Sequence, residues 1–194
     1  MGLLDVAGGP ASRIALARLG PLLGLLAALA WGEALAAGAA APEYAVKAAY
    51  LSKFGAFVDW PPTAFNSPNS PMVICVAGED PFGSLLDQTV GGQRIGARPV
   101  EVKRVDRVDR NQGCQILYLG GSKRQSVADA LKAVRGAPVL TVTDGRRNEP
   151  PGIIDFGLAG NHVRFSVDPD AAARSGLTIS SKLLSVALAV RSRP

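Results

Sequence analysis

Histidine, cysteine and charge are all scarce in this sequence of 194 residues, which has one histidine, two cysteines and 19% charged residues. Two cysteines cannot build a four-thiolate zinc site, and a single His162 leaves too few nitrogen ligands for the usual mixed sites. A hydrolase that relies on histidine would have only His162 to use. We therefore predict no metal site, and histidine-based catalysis has little support.

The composition that remains is that of one folded domain. Hydrophobic residues make up 47% of the chain, too many for a disordered protein, and the glycines lack the three-residue period of collagen. Lysine and arginine exceed aspartate and glutamate by 21 to 16. These basic residues are scattered and form no stripe interleaved with aromatics, so we do not expect a nucleic-acid partner.

The first 41 residues have the pattern of a secretory signal peptide. Arg13 and Arg18 precede an apolar run over residues 19–31, and a tract of small residues follows over 34–41. An uncleaved membrane anchor is the alternative, but the run is shorter than the roughly 20 residues needed to cross a bilayer. We predict cleavage after Ala36 or Ala39, and we assign residues 1–41 to the signal peptide and residues 42–194 to the exported domain.

After the leader, strand and helix patterns alternate, which predicts one layered α/β domain. The apolar run Met72–Ala77 is typical of a strand buried on both faces of a parallel sheet. The other predicted strands are Pro99–Val105, Gln115–Leu119, Val139–Thr143, and a hairpin of Ile153–Leu158 with His162–Val167. Predicted helices cover Glu43–Val58, Phe82–Val90, Ser122–Val134, a short segment after Asp168–Pro169, and Ser180–Val190. In the first of these helices, Lys47 and Lys53 lie off the apolar stripe.

The two cysteines lie in the predicted sheet. Cys75 is inside the first buried strand and Cys114 is at the start of another. Export would place both in an oxidising compartment, where an even number of cysteines favours pairing. The alternative is two buried free thiols that act as small hydrophobes. A redox-catalytic pair is disfavoured because Cys-x-x-Cys is absent.

No residue pattern makes a convincing catalytic site. Ser180-Ser181-Lys182 permits a serine activated by lysine, but a serine that caps the last helix explains it more simply. Gly120-Gly121-Ser122 lacks the spacing of a nucleotide-binding loop and reads as a tight turn with a cap. The remaining polar candidates are expected in turns or on the surface: Asp144, Glu149, Asp155 and His162.

Seven short motifs in a fixed order resemble the YfiR family of bacterial periplasmic regulatory proteins, and together they cover essentially the whole predicted mature chain. The opening signature is Ala48-Ala49-Tyr50-Leu51-Ser52-Lys53-Phe54 with Phe57-Val58-Asp59-Trp60-Pro61. The later motifs are Ile74–Gly83, Arg98-Pro99-Val100, Cys114–Tyr118, Pro138–Val142, Val163–Val167 and Gly176–Leu184.

This resemblance implies regulation rather than catalysis. Family members like YfiR bind the periplasmic domain of a membrane-bound diguanylate cyclase, keep cyclic-di-GMP synthesis low, and are removed by an outer-membrane lipoprotein. It also implies a three-layer α/β/α sandwich, with a mainly parallel mixed sheet and a C-terminal hairpin and helix, and a homodimer. Cys75 and Cys114 match a family cysteine pair that forms a disulfide, whereas the second pair of the better-known regulator is missing here.

The leading hypothesis is thus an exported, non-enzymatic repressor of a cyclase that needs no cofactor. Its predicted partner-binding residue is Trp60, which ends the first helix beside a proline-rich loop, although a packing role for this tryptophan is equally compatible with the sequence. The alternative function is a periplasmic small-ligand-binding protein with Phe54, Phe57 and Trp60 in its pocket. An enzyme that uses Ser180 or Ser181 is the third possibility.

Overall fold

The computed structural model of this protein describes residues 42–145 and 149–191, so the predicted signal peptide lies outside the described residues. All the described residues belong to one compact unit, Ala40–Pro194. Within them, no helix combines the length and the apolar content that crossing a membrane requires.

Eight strands form one mixed sheet, in the spatial order β10-β8-β7-β6-β5-β2-β4-β3. Five pairs of neighbouring strands are parallel: β2–β4, β2–β5, β5–β6, β6–β7 and β8–β10. The pairs β7–β8 and β3–β4 are antiparallel. The strands are β2 (Met72–Gly78), β3 (Arg94–Ile95), β4 (Arg98–Val105), β5 (Ile116–Gly121), β6 (Leu140–Asp144), β7 (Ile154–Ala159), β8 (His162–Val167) and β10 (Ala189–Val190).

Helices cover both faces of this sheet, which confirms the predicted three-layer α/β/α architecture. One face packs against α1, α2, α4 and α5 through one hydrophobic cluster, and the other face packs against α3 through a second cluster. The helices are α1 (residues 42–54), α2 (Ser84–Val90), α3 (Val127–Ala133), α4 (Pro169–Arg174) and α5 (Ser181–Val186).

Strand order explains why α2 and α3 lie on opposite faces. The chain passes from β2 through α2 to β4 on one side of β2, and then from β5 through α3 to β6 in the opposite direction. Because crossovers between parallel strands are right-handed, reversing the direction moves the connecting helix to the other face. The reversal falls between β2 and β5, in the middle of the sheet.

The larger cluster centres on aromatic rings that α1 brings to the hairpin β7–β8. The ring of Phe54 lies 5.8 Å from that of Phe156 and 5.3 Å from that of Phe165, and Tyr50 lies 5.2 Å from Phe165. Phe54, Phe156 and Phe165 are all buried. The aromatic residues of the predicted helical stripe therefore serve the core.

The predicted first helix ends earlier than expected. Helix α1 stops at Phe54 and a 3-10 turn covers Gly55–Phe57, after which β1 (Val58–Asp59) pairs antiparallel with β9 (Thr178–Ile179). The prediction of helix to Val58 is wrong because Val58 and Asp59 are extended and pair with a distant segment of the chain. This two-stranded sheet ties the start of the domain to the start of α5.

Two helix starts also differ from the prediction. Helix α2 begins at Ser84 rather than Phe82, because Oδ1 of Asp80 accepts hydrogen bonds from the backbone N–H groups of Phe82 and Gly83 and holds them in a turn. The helix predicted from Ser122 begins at Val127. Its N-cap is Ser126, whose hydroxyl oxygen accepts a hydrogen bond from the Asp129 N–H.

Gln125 gives the physical reason for the second error. The sequence Ser122–Gln125 predicts a capping box, but the Gln125 side chain bonds both the N–H and the carbonyl of Val108. A side chain committed to a neighbouring loop cannot close a capping box, and the helix starts one turn later.

The last predicted helix, Ser180–Val190, is correct only as far as Val186. Beyond it, the N–H groups of Leu188 and Arg191 donate to the carbonyls of Phe165 and Val167, so that β10 extends the sheet beside β8. The open edge of β8 offers hydrogen-bond acceptors that the sequence of the segment does not reveal.

The structure joins Cys75 and Cys114 in a disulfide, with their Cα atoms 5.7 Å apart. Both cysteines are buried in the cluster beneath α3. The bond links the middle of β2 to the residue that leads into β5, across a sequence separation of 39 residues.

We predict that replacing both Cys75 and Cys114 with alanine lowers the melting temperature. In the chain-entropy treatment, a cross-link across this separation stabilises the fold by about 4 kcal/mol, which corresponds to a fall of roughly 10 °C for a domain of this size. Differential scanning calorimetry of the oxidised protein and the variant measures the difference. An unchanged melting temperature would show that the disulfide does not constrain the unfolded chain.

Candidate functional site: a closed crevice and an exposed C-terminal strip

The place where open α/β sheets usually bind ligands is filled by backbone in this protein. Ligands of such sheets occupy the crevice at the carboxyl ends of the two strands between which strand order reverses, here β2 and β5. At that point the N–H of Glu79 donates to the carbonyl of Gly121 over 2.9 Å. The small cavity beside Gly78 and Gly121 has a volume of about 10 Å³, which is room for one water molecule at most.

Three glycines allow this close approach. A Cβ atom at Gly120 would lie 2.0 Å from the carbonyl oxygen of Glu79, and one at Gly78 would lie 2.2 Å from that of Gly121. Gly78 and Gly121 also have positive φ angles, of 81° and 67°. The predicted tight turn at Gly120-Gly121-Ser122 is thus part of a contact between strand ends.

We expect Gly120→Ala to destabilise the domain strongly, because the carbonyl of Glu79 is backbone and cannot move aside cheaply. Loss of about 3 kcal/mol or more in the free energy of unfolding is the scale of overpacking at such a site. Gly157→Ala is the matched control, since a Cβ there meets nothing within 4 Å. Urea unfolding of the two variants makes the comparison, and equal midpoints would contradict the proposed contact.

A buried ion cluster lies near the same edge of the sheet, and the sequence did not predict it. Lys47 was expected off the buried stripe of α1, yet its side chain is completely buried. Its Nζ lies 2.6 Å from Oε1 of Glu43 and 2.6 Å from Oδ2 of Asp144. The prediction for Lys47 is wrong because the carboxylate at the end of β6 is itself buried and requires a cation.

This cluster fixes α1 on the sheet. Asp144 closes β6, whereas Glu43 and Lys47 are one turn apart on α1, so the ion pairs join the helix to the sheet. The ammonium also lies 4.8 Å from the ring centre of Tyr44 and 5.7 Å from that of Phe156. An ammonium enclosed by two carboxylates and two rings is a structural link between α1 and the sheet.

We expect Lys47→Met to lower the free energy of unfolding by roughly 3 kcal/mol, because it leaves buried carboxylates without their cation. Adding Asp144→Asn removes one of these charges, so the double variant should regain part of the loss. Chemical unfolding of the two single variants and the double variant gives the coupling between the residues. Additive losses would contradict a direct interaction.

The other polar residues considered from the sequence occupy ordinary structural positions. The hydroxyl oxygen of Ser180 accepts a hydrogen bond from the Leu183 N–H over 3.3 Å and caps α5, and Lys182 is exposed, as the capping interpretation predicted. His162 is exposed at the start of β8. Asp155 lies beside β6, where Oδ1 accepts a hydrogen bond from the Thr143 hydroxyl. The structure does not bring these side chains together.

Arg104 ties the exposed end of β4 to the segment around α2. Its guanidinium lies 2.9 Å from Oδ2 of Asp80 and 2.6 Å from Oδ2 of Asp87. The hydrogen bonds that Arg104 donates to Asp87 lower the pKa of the Asp87 carboxyl and raise the pKa of the Arg104 guanidinium. Arg104 is thus part of a partly exposed ion-pair network.

Trp60, the predicted partner-binding residue, is half-buried. Its indole N–H donates to the carbonyl of Gly55 over 3.1 Å, and its ring meets the ring of Phe65 edge-on with centres 6.2 Å apart. Trp60 therefore packs at the beginning of the proline-rich loop and keeps part of its surface open to solvent.

A strip of exposed apolar side chains begins at the last residue of α5 and continues into β10. Val186, Leu188 and Val190 are 62%, 60% and 46% exposed, and they occupy every second position of the chain. They account for three of the five large hydrophobic side chains that are exposed among the described residues. We call these three residues the C-terminal strip. The prediction of helix to Val190 concealed this strip, although the alternation of large and small apolar residues over 186–190 is a visible signal of an extended segment.

A family model with the description YfiR/HmsC-like matches residues 44–188. The match includes α2 to α5, all but the first two residues of α1, and every strand except β10. The match covers well over half of the chain and agrees with the resemblance carried by the seven sequence motifs. This chain belongs to the YfiR/HmsC-like family.

Proposed function

We propose that this protein is an exported, non-enzymatic regulator that binds the periplasmic domain of a membrane-bound diguanylate cyclase and represses cyclic-di-GMP synthesis. Membership of a regulatory, non-catalytic family over residues 44–188 is the observation that carries the proposal. In this account an outer-membrane lipoprotein relieves the repression, and the signal peptide over residues 1–41 delivers the protein to the periplasm.

The closed crevice supports a protein partner over a small ligand. The reversal point between β2 and β5 is occupied by the contact between Glu79 and Gly121. Phe54, one of the aromatics assigned to a ligand pocket in the alternative hypothesis, is 1% exposed and packed among other rings. A groove of about 1280 Å³ between α3 and α4 is lined largely by polar and small side chains and by no aromatic ring.

The C-terminal strip supplies the surface that such a partner would use. Interface cores concentrate apolar side chains that are exposed in the free protein and become buried on binding. Val186, Leu188 and Val190 have this character, and they border the buried core through the pairing of Val190 with Val167. In the proposed complex, the cyclase domain covers this strip.

Deletion of the gene should raise cellular cyclic-di-GMP and biofilm formation, and the increase should disappear in a strain that also lacks the cyclase. The wild-type chain should restore repression, whereas Leu188→Asp should not, because a carboxylate in the centre of an apolar contact is strongly unfavourable. Measurement of cyclic-di-GMP by mass spectrometry follows both effects. Exposed interface anchors contribute about 2 kcal/mol or more each, so the loss of affinity should be at least about 30-fold.

Gln88→Asp is the matched control, since it adds the same charge at an exposed position of α2. Both variants should reach the periplasm at wild-type levels. Full repression by Leu188→Asp would exclude the strip as the contact surface. Unchanged cyclic-di-GMP after deletion would contradict the regulatory function itself.

A further inference from the structure

Residues 60–71 form a surface loop with an unusual composition. The segment contains four prolines and no charged residue, and its remaining side chains are Trp60, Phe65 and small or polar groups. Most of its central residues are exposed, among them Thr63, Asn66 and Asn69. We call this segment the Trp60 loop.

The first half of the loop is held by Gln115. This side chain is 4% exposed, and its Nε2 donates to the carbonyl of Ala64 over 2.6 Å while its Oε1 accepts from the N–H of Val73 over 2.8 Å. One buried amide thus joins the loop to β2. Because both ends of the amide are used, no other uncharged side chain of similar size can replace it without leaving a buried group unpaired.

The second half of the loop is held by Arg98 at the start of β4. Its Nη1 donates to the carbonyls of Ser67 and Ser70 over 3.0 and 2.6 Å. The same guanidinium lies 3.6 Å from the ring centre of Phe65, which in turn contacts Trp60. Arginine can bond two carbonyls and stack on a ring at once because its guanidinium is planar.

These contacts restrain the loop at several points along its length. Surface loops are ordinarily the most mobile parts of a domain, whereas this one is fixed at Trp60, Phe65, Ala64, Ser67 and Ser70. A loop that is already ordered loses less conformational entropy on binding, so rigidity of this kind favours recognition. Uncharged polar residues with a few rigid aromatics are also the composition that recognition loops use.

The small sheet places the loop beside the C-terminal segment. Asp59, directly before the loop, pairs with Thr178, and a Cβ atom at Gly176 would lie 3.8 Å from Cγ of Pro61. Helix α5 begins two residues after this sheet and has six residues, which is a length of about 9 Å. Its last residue, Val186, is the first residue of the C-terminal strip. One folded partner domain can therefore reach both surfaces.

We propose that the Trp60 loop is a second, preorganised contact for the same cyclase domain, and that Arg98 and Gln115 are positioning residues that act through the loop. The inference rests on the proposed function for the identity of the partner. The loop carries no charged residue of its own, and the Arg98 guanidinium that contacts it is used by two carbonyls and a ring.

The test uses Arg98→Lys, which keeps the positive charge but removes the planar guanidinium that bonds two carbonyls and stacks on Phe65. Hydrogen exchange of the Ser67 and Ser70 amides should become at least about tenfold faster, because the two serine carbonyls lose their shared donor. Affinity for the purified periplasmic domain of the cyclase, measured by calorimetry with the full mature chain, should fall about tenfold while the melting temperature stays close to that of the wild type. Arg94→Lys on β3 is the matched control, since Arg94 bonds the carbonyl of Ala97 outside the loop.

A third variant, Asn69→Arg, changes the exposed surface of the loop without removing the contacts of Gln115 or Arg98. It should weaken binding while leaving the exchange of the Ser67 and Ser70 amides at the wild-type rate. Unchanged affinity of Arg98→Lys with a loosened loop would overturn recognition by the loop, and unchanged exchange would overturn the positioning role. Failure of the wild-type chain to bind the domain would contradict the proposed function. Wild-type affinity in every variant would instead contradict only the role of the Trp60 loop.

Discussion

The contact between the carboxyl ends of β2 and β5 is the constraint on which the rest of the structure depends. Gly78, Gly120 and Gly121 let the two strand ends approach so closely that backbone occupies the crevice where α/β sheets usually bind ligands. The fold keeps its reversal of strand order but loses the cleft that this reversal normally creates. We therefore propose that recognition uses two outer surfaces, the Trp60 loop and the C-terminal strip.

Two long-range links hold these surfaces in place. The ion cluster of Lys47, Glu43 and Asp144 fixes α1 on the sheet, and the pairing of β1 with β9 joins the residues before the Trp60 loop to those before α5. Each link connects positions that are about a hundred residues apart in sequence. The loop and the C-terminal strip are therefore presented by a fixed framework, which is what a preorganised interface requires.

Local patterns in the sequence predicted the layered α/β fold, the strands and the hairpin, because apolar runs and turn residues report burial directly. The position of Lys47 could not be predicted this way, since its partner Asp144 is on a distant strand and a lysine in a helix pattern normally faces solvent. The Ser122 capping box failed because Gln125 bonds Val108, and the last helix was overextended because the edge of β8 captures residues 188–191. In each case a tertiary contact overrode a correct local preference. The structure shows the packing role of Trp60, and its role in partner binding stays a prediction.

Photocrosslinking in living cells tests the central claim most directly. A photoreactive amino acid placed at Leu188 of the full chain should, on illumination, form a covalent adduct with the membrane-bound cyclase, and the same amino acid at Gln88 should not. Identification of the adduct by mass spectrometry would locate the contact on the periplasmic domain. The account is contradicted if the amino acid at Leu188 crosslinks no cyclase while the one at Gln88, an exposed position of α2, does so.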